Sequence, residues 1–215
     1  MPEISIIICI YNQGKWIERC LRSIIHQVGV KKNEYEIIIV NDGSKDYTEK
    51  ILKKYNKIDN IKIVHNKKNL GLPKSINVGI KYSSGRYIVR VDSDDYIERN
   101  YLFVSKLFLD KNRYYQALAT DYLRVDEDES LLSRENCFNK EIACGIMFRK
   151  EAILDIGLYN EKFLMREGHE LRKRFERKFK IGRLELPLYK YRIYKGNRTT
   201  NKKKVKKYDN KLKRV

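Results

Sequence analysis

The sequence of 215 residues contains no apolar run that approaches the roughly 18 to 20 residues of a membrane-spanning helix. Its first residues, MPEISIIICIYN, lack the basic stretch that opens a secretory signal peptide. The four cysteines show no C-x-x-C spacing, so we expect buried, reduced thiols rather than disulfides or a thiolate metal site. Together these absences predict a cytoplasmic protein.

The sequence also lacks the glycine-rich phosphate-binding motifs. Neither G-x-x-x-x-G-K-[ST] nor G-x-G-x-x-G occurs, which argues against a P-loop kinase or ATPase and against a dinucleotide-binding enzyme. There is no internal repeat, and no proline- and glycine-rich linker separates two domains. Because 42% of the residues are hydrophobic, the chain can form one sizeable globular core.

Acidic residues are scarce relative to basic ones. There are 28 Asp and Glu against 47 Lys and Arg, which gives a net charge of +19. The excess is concentrated in residues 198–215, where nine Lys or Arg and one Asp give +8 in 18 residues. Such a segment could attach to an anionic membrane surface, or it could remain solvated without a partner. No nucleic-acid-binding motif accompanies it, and we predict that nucleic acid is not a partner.

Apolar runs and helical periodicities alternate along the first hundred residues. EISIIICIY, YEIIIV, IKIV and YIVRV have the continuous apolar character of buried parallel strands. The segments between them repeat apolar residues at helical spacing, as in KWIERCLRSII. This alternation predicts an α/β fold with a doubly wound parallel sheet, in which ligands bind outside the carboxyl ends of the strands.

Three polar clusters, IYNQG, NDGSKD and DSDD, each follow one of the predicted strands. They are therefore expected to meet at one edge of the sheet. Asp42 could accept a hydrogen bond from a nucleobase, and Gly43 would let the backbone approach a ligand closely. Tyr11 could pack on the face of the base. A nucleotide diphosphate bridged by a metal ion fits all three clusters.

The third cluster crowds Asp92, Asp94 and Asp95 into four positions, and such like charges repel unless a cation compensates them. Carboxylates that follow a strand suit a hard divalent ion, Mg²⁺ or Mn²⁺. An EF-hand does not fit, because Ile97 would stand where that loop needs glycine. Alone, the pattern is more often an ordinary acidic turn, but the neighbouring clusters favour the metal.

Four ordered segments carry a family resemblance: ISIIICIYNQGKWIERCLRSIIHQ, YEIIIVNDGSKDYTEKI, NLGLPKSINVGIKYSSGRYIVRVDSDD and ACGIMFRKEAILDIGLYNEKF. Over roughly residues 3–200 the chain resembles the family 2 inverting glycosyltransferases. The resemblance implies an α/β GT-A fold with a Rossmann-like, mostly parallel central sheet flanked by helices and an acceptor-side extension. It implies one domain over residues 1–200, with a nucleotide-sugar-binding half (1–99), an acceptor-binding half (100–200) and a basic C-terminal tail (201–215).

The resemblance also implies roles for individual residues. Asp42 would hydrogen-bond the base, most often uracil, Asp92 would lie near the ribose, and Asp94 would bind the metal directly. Asp95 would stand behind the metal ligand or face the sugar. The residues expected to bind the nucleotide sugar are Ile10, Tyr11, Asn12, Asp42, Lys74, Asn77, Asp92, Ser93 and Asp94, with Asp94 and Asp92 as metal ligands.

In enzymes of this family an acceptor hydroxyl attacks the anomeric carbon in one displacement, with inversion. A carboxylate takes the proton, and Mn²⁺ or Mg²⁺ neutralises the leaving nucleotide diphosphate. The expected donor is a UDP-sugar, and the expected acceptor is a cell-surface glycan or a lipid-linked precursor. The basic tail would then hold the enzyme peripherally at the inner face of the cell membrane.

Two positions depart from the family pattern. In REGHELRKRF, Gly168 stands where the catalytic Asp is expected, which leaves Glu167 first and Glu170 second as the base, with His169 also near. Asp95 is a further catalytic candidate. If no residue replaces the Asp, the chain is a degenerate nucleotide-sugar-binding protein, which is the alternative function.

The second departure is Tyr194, which stands where related sequences carry a histidine that reaches the metal or the diphosphate. Arg192, Lys195 or Arg198 could bind the diphosphate instead, through charge-assisted hydrogen bonds. Each of the three could equally be a solvated cation on a basic protein.

Overall fold

A computed structural model describes residues 1–214. The first half of the chain alternates strands and helices, as predicted, although the helix after the second strand has only five residues. The elements are β1 (Ile4–Ile10), α1 (Gly14–Ile25), β2 (Tyr35–Asn41), α2 (Thr48–Leu52), β3 (Ile61–His65), α3 (Leu72–Tyr82) and β4 (Tyr87–Arg90). Strands β3, β2, β1 and β4 lie side by side in that order and are parallel.

The second half contributes five more strands and four more helices. They are β5 (Tyr96–Ile97), α4 (Tyr101–Lys111), β6 (Ala117–Val125), β7 (Leu131–Glu135), β8 (Ile146–Arg149), α5 (Lys150–Asp155), α6 (Glu167–Glu176), β9 (Ile181–Arg192) and α7 (Lys202–Leu212).

All nine strands form one sheet in the order β3-β2-β1-β4-β8-β6-β9-β5, with β7 paired to β6. Strand β8 is antiparallel to β4 and joins the two halves. In the second half β6 and β9 are parallel, whereas the other pairs are antiparallel. The predicted α/β fold is confirmed, and its purely parallel part is confined to the first four strands.

The core lies on both faces of the first strands, which explains their continuous apolar sequences. Every residue of β1 except Cys9 is buried, and α1 packs its apolar side, including Trp16, Ile17 and Leu21, against the sheet. All four cysteines are free, as expected. Within residues 1–214 no helix is both long and apolar enough to cross a membrane.

The segment predicted as a basic tail is mostly a helix packed on the body of the protein. Asp209 of α7 forms an ion pair with Arg166 at 2.6 Å, and Lys173 Nζ donates to the Leu212 carbonyl at 3.0 Å. The helix begins where Asn201 Oδ1 accepts from the Lys204 N–H.

Candidate active site

A cavity of about 600 Å³ opens at the carboxyl ends of β1, β2 and β4. All three predicted polar clusters reach it, and so do the start of α6 and the segment after β9. Of the residues predicted to bind the nucleotide sugar, those in its wall are Ile10, Tyr11, Asn12, Asp42, Asp92, Ser93 and Asp94.

Asp42 is buried in the cavity wall, where its carboxylate holds a neighbouring loop. One oxygen accepts from the Leu70 N–H and from Asn66 Nδ2, both at 2.8 Å, and the other accepts from the Gly71 N–H at 2.9 Å. Next to it, Gly43 has φ of 72°, and an added Cβ would lie 2.8 Å from the Lys68 carbonyl carbon. Asp42 can still offer a lone pair to a base, but its first structural effect is to shape the wall.

The end of β1 is tied to the end of β2 through Asn12. Its backbone has φ of 54°, its N–H donates to Ser44 Oγ at 3.0 Å, and its Oδ1 accepts from the Lys45 N–H at 2.8 Å. This turn leaves the Tyr11 ring 44% exposed at the cavity. A solvent-facing aromatic ring in this position can stack on a nucleobase.

Asp92 and Glu167 share one buried cation, Arg90. The guanidinium donates to both oxygens of Asp92, at 2.6 and 2.9 Å, and to Glu167 Oε1 at 3.0 Å. The Arg90 and Glu167 side chains are each only 6% exposed. Arg198 Nη2 lies 4.0 Å from Glu167 Oε2, so both carboxylates are paired with cations of the chain.

Asp94 is different, because none of the Lys, Arg and His side chains in residues 1–214 forms an ion pair with it. Its Oδ2 accepts from the Tyr194 hydroxyl at 2.9 Å, and that hydroxyl accepts from Gln13 Nε2 at 3.0 Å. Burial and the nearby charge of Asp92 raise the pKa of Asp94 to about 6. Tyr194 thus stands beside the D-x-D carboxylate, at the position where the family pattern has histidine.

Asp95 does not line the cavity, and its expected roles as a sugar-facing or catalytic group stay predictions. It is 2% exposed, and its oxygens accept from the Tyr189 hydroxyl at 2.7 Å and from the Arg192 N–H at 2.9 Å. Burial and the charge of Asp94 raise the pKa of Asp95 well above its ordinary value. Asp95 lies behind Asp94, which is the place expected for a residue that supports the metal ligand.

Among the possible metal ligands near the cavity, one carboxylate is suited to a divalent ion. Asp92, Asp95 and Cys144 have ligand atoms within 4.8 Å of one another, but Arg90 occupies both Asp92 oxygens. Burial also raises the pKa of the Cys144 thiol, which disfavours the thiolate that a metal would need. Asp94 has the better fit, since it is a cavity-lining carboxylate with which no Lys, Arg or His side chain of residues 1–214 forms an ion pair.

The start of α6 explains the missing aspartate. A Cβ added to Gly168 would lie 2.2 Å from Ala143 Cβ and 2.9 Å from Ala143 Cα, so no side chain fits there without a backbone shift. Glu167 lines the cavity. Burial acts to raise the pKa of Glu167, but Arg90 and then Arg198 outweigh it and lower that pKa.

Three further predicted residues lie outside the cavity wall. Glu170 is 2% exposed and holds Arg174 through two hydrogen bonds of 2.7 and 2.8 Å, so it is a structural partner rather than a base. Lys74 is exposed to solvent, and Asn77 is buried with its amide bonded to the backbone of Tyr159 at 2.9 and 3.0 Å. Neither residue lines this cavity, and the expectation that Lys74 and Asn77 line the donor site stays a prediction.

Of the three cations proposed for the diphosphate, Arg198 lines the cavity and Lys195 does not. Arg192 is 1% exposed, donates to the Asp94 carbonyl at 3.0 Å and lies 4.4 Å from the Trp16 ring centroid. The Arg192 guanidinium is therefore already engaged in contacts behind the acidic cluster.

The sequence interpretation missed Arg90 in the wall and named His169 only as a residue near the candidate base. Arg90, a charged residue inside an apolar strand two positions before Asp92, could have been recognised as an internal counterion. His169 has a buried Nδ1 with no hydrogen-bond partner in residues 1–214, and burial, followed by Arg166, lowers its pKa. No sequence signal distinguishes this imidazole from a surface one.

Comparison with known proteins identifies curated relatives that are named as glycosyltransferases. An uncharacterized glycosyltransferase of Haemophilus influenzae is 38% identical over 125 residues, covering 58% of this chain and 38% of its own. The poly(ribitol-phosphate) beta-N-acetylglucosaminyltransferase TarS of Staphylococcus aureus is 36% identical over 113 residues, covering 52% of this chain and 20% of TarS. The chain spans less than half the length of these curated relatives.

Solved structures show the same architecture. TarS residues 1–349 in complex with UDP superpose with a TM-score of 0.75 at 25% identity, covering 90% of this chain and 61% of that one. A Pyrobaculum calidifontis mannosyltransferase in complex with GDP-Man and Mn²⁺ has a TM-score of 0.72 at 15% identity, covering 91% and 58%, and supports the GT-A fold alone. The "Glycosyl transferase family 2" model matches residues 5–168, and the chain therefore belongs to that family.

Proposed function

We propose that this chain transfers a sugar from a UDP-sugar to a hydroxyl of a glycan or of a lipid-linked precursor, with inversion and with Mn²⁺ or Mg²⁺. The observation that carries the proposal is Asp94, a cavity-lining carboxylate with a raised pKa and no cationic partner in residues 1–214. The UDP complex of TarS, at 25% identity, supports UDP as the nucleotide.

Different residues of the chain would contact different parts of the donor. The exposed Tyr11 ring would stack on the uracil, and Asp42 would accept a hydrogen bond from the base through its remaining lone pair. Asp94 would hold the metal, which would offset the charge of the departing diphosphate. Arg198, in the same wall, would add a second positive charge for the phosphates.

The acceptor hydroxyl must lose a proton as it attacks. Glu167 is the one cavity-lining residue among the three predicted catalytic carboxylates, so it remains our first choice for the proton acceptor. Its ion pair with Arg90 makes it a weaker base than a free carboxylate, because lowering the pKa lowers the affinity for a proton. We therefore expect slow turnover.

A second function, nucleotide-sugar binding without transfer, is favoured by Gly168. The close approach of Ala143 leaves no space at this position for the usual carboxylate. In that case the donor site would remain intact while the proton acceptor would be absent. The two functions differ in turnover and not in donor binding.

Calorimetric titration of UDP with and without Mn²⁺ tests the donor site. We expect metal-dependent binding that weakens at least a hundredfold in Asp94→Asn, a loss of about 2.7 kcal/mol. Asp128→Asn is the matched control, because this exposed aspartate lies outside the cavity wall. Equal UDP affinity in both variants would show that Asp94 does not hold the metal.

Turnover then separates the two functions. Release of UDP from UDP-GlcNAc, with and without candidate acceptor glycans, should be stimulated by the right acceptor and should fall in Glu167→Gln while UDP binding is kept. A donor that binds with metal and is never turned over would favour the binding protein.

A further inference from the structure

Helix α7 has two different sides, and only one of them is used within the chain. The half-buried residues Val205, Tyr208, Asp209 and Leu212 recur at the spacing of one helix face. Tyr208 packs against the Phe163 ring with centroids 6.1 Å apart, and Asp209 holds Arg166. This side fixes α7 to the segment that leads into α6.

The opposite side presents a row of exposed cations, four in the first half of α7 and two directly after its end, with the uncharged Asn210 between them. At 100° per residue these positions fall within an arc of about 140° that faces away from the docked side, over a length of about 18 Å. All of them are exposed, and within the described part of the chain none of them has a side-chain hydrogen bond or an ion pair. They are Lys202, Lys203, Lys206, Lys207, Lys213 and Arg214.

We propose that this outer row of α7 docks on an anionic lipid surface. Unpaired exposed cations are attracted to such a surface, and the row carries no apolar side chain that would insert into it. A flat surface contacts the whole row at once, because the row lies on the side of α7 that faces away from the protein. The contact is thus electrostatic and sensitive to salt.

The position of the row also bears on the acceptor, and this step rests on the proposed function. Lys204, on the edge of α7 between the two sides, lines the cavity together with Arg198. A surface bound to the outer row would therefore lie beside the mouth of the cavity. An acceptor anchored in that surface by a phosphate-bearing lipid could place its phosphate against Lys204 and Arg198.

The test compares two charge-matched variants of the whole chain. The outer-row variant carries Lys203→Gln, Lys206→Gln, Lys207→Gln and Lys213→Gln. The control variant carries Lys32→Gln, Lys53→Gln, Lys57→Gln and Lys111→Gln, which are exposed lysines away from α7. Both lose four charges and neither touches the cavity wall or the docked side of α7.

Binding is measured by co-sedimentation with vesicles of phosphatidylcholine alone or with about one-third phosphatidylglycerol. We expect the native protein to bind only the anionic vesicles, the outer-row variant to bind roughly tenfold or more weakly, and the control variant to bind within about twofold of native. Binding to both vesicle types alike, or equal weakening in the two variants, would overturn the proposal.

Soluble polyphosphate serves as a competing anion of another kind. If the outer-row variant lost polyphosphate binding but kept vesicle binding, the row would belong to a polyanionic chain and the lipid proposal would be wrong. UDP titration on the same variants should give native affinity. If the native protein did not bind UDP, that result would count against the proposed function, whereas the vesicle result would still stand.

Discussion

Asp92 and Asp94 stand two residues apart in one cavity, yet their charges are compensated differently. Arg90 pairs with Asp92 and Glu167 inside the fold, whereas within residues 1–214 Asp94 has the Tyr194 hydroxyl as its side-chain partner and no ion pair. A carboxylate paired with an arginine contributes to the fold, and removing its partner leaves a buried uncompensated charge. A carboxylate without a cation indicates a ligand that supplies one. Within this one motif, Asp92 is paired inside the chain, and Asp94 is the carboxylate for which we propose a metal ion.

The largest expected effect comes from removing the internal cation. Arg90→Met should lower the free energy of unfolding by about 3–5 kcal/mol, because two mostly buried carboxylates lose their counterion. Denaturant unfolding measures the loss, and Arg113→Met, at an exposed arginine, should change stability by less than about 0.5 kcal/mol. Adding Glu167→Gln to Arg90→Met should restore part of the stability. A loss below about 1 kcal/mol would contradict the structural role of Arg90.

Another carboxylate, Glu36, extends the comparison to the first half of the sheet, where neutral hydrogen-bond donors take the place of a cation. Its Oε1 accepts from Ser5 Oγ and from the Ser84 N–H, both at 2.6 Å, so Glu36→Gln should cost about 2 kcal/mol near neutral pH. Burial acts to raise the pKa of Glu36, but these hydrogen bonds outweigh it and lower that pKa.

The lowered pKa sets the direction of the pH dependence. Because the folded pKa lies below the unfolded one, the stabilisation is complete above the ordinary value of 4.5 and is lost as pH falls through the folded pKa. The difference in unfolding free energy between native protein and Glu36→Gln should therefore shrink below about pH 4. A difference that grew on acidification would contradict this assignment.

The smallest expected effect lies on the Asp94 side. Tyr194→Phe removes the hydroxyl that donates to Asp94, and metal-dependent UDP binding should weaken roughly tenfold, since groups that orient a ligand carboxylate tune metal affinity. Titration calorimetry measures the change, and Tyr114→Phe, at a tyrosine that is 69% exposed, is the control. Unchanged affinity in Tyr194→Phe would show that the hydroxyl does not orient the carboxylate.

The sequence predicted the parts of the molecule that depend on local pattern. The continuous apolar runs of β1 and β2 identified a parallel sheet because both of its faces are covered, and the polar clusters at the strand ends marked the cavity. The antiparallel junction of β8 with β4 could not be predicted, because it depends on pairing between residues about sixty positions apart.

Individual site residues were harder to predict, because side-chain direction is set by tertiary packing. Glu170 and Asp95 carry suitable carboxylates, but Arg174 and Tyr189 draw them away from the cavity. Asn77 lies in a segment that matches the family, yet its amide ties α3 to the Tyr159 backbone. The apolar side of α7 was hidden in a lysine-rich segment, since three apolar residues among so many charges give a weak periodic signal.

The contact between Gly168 and Ala143 has a consequence for the redesign of the site. Gly168→Asp alone would meet a Cβ at 2.2 Å, and with Ala143→Gly added the Cα at 2.9 Å would still obstruct it. Placing a carboxylate at position 168 therefore needs coordinated changes at the start of α6 and in the segment around Ala143, with a shift of backbone, so no single substitution supplies it.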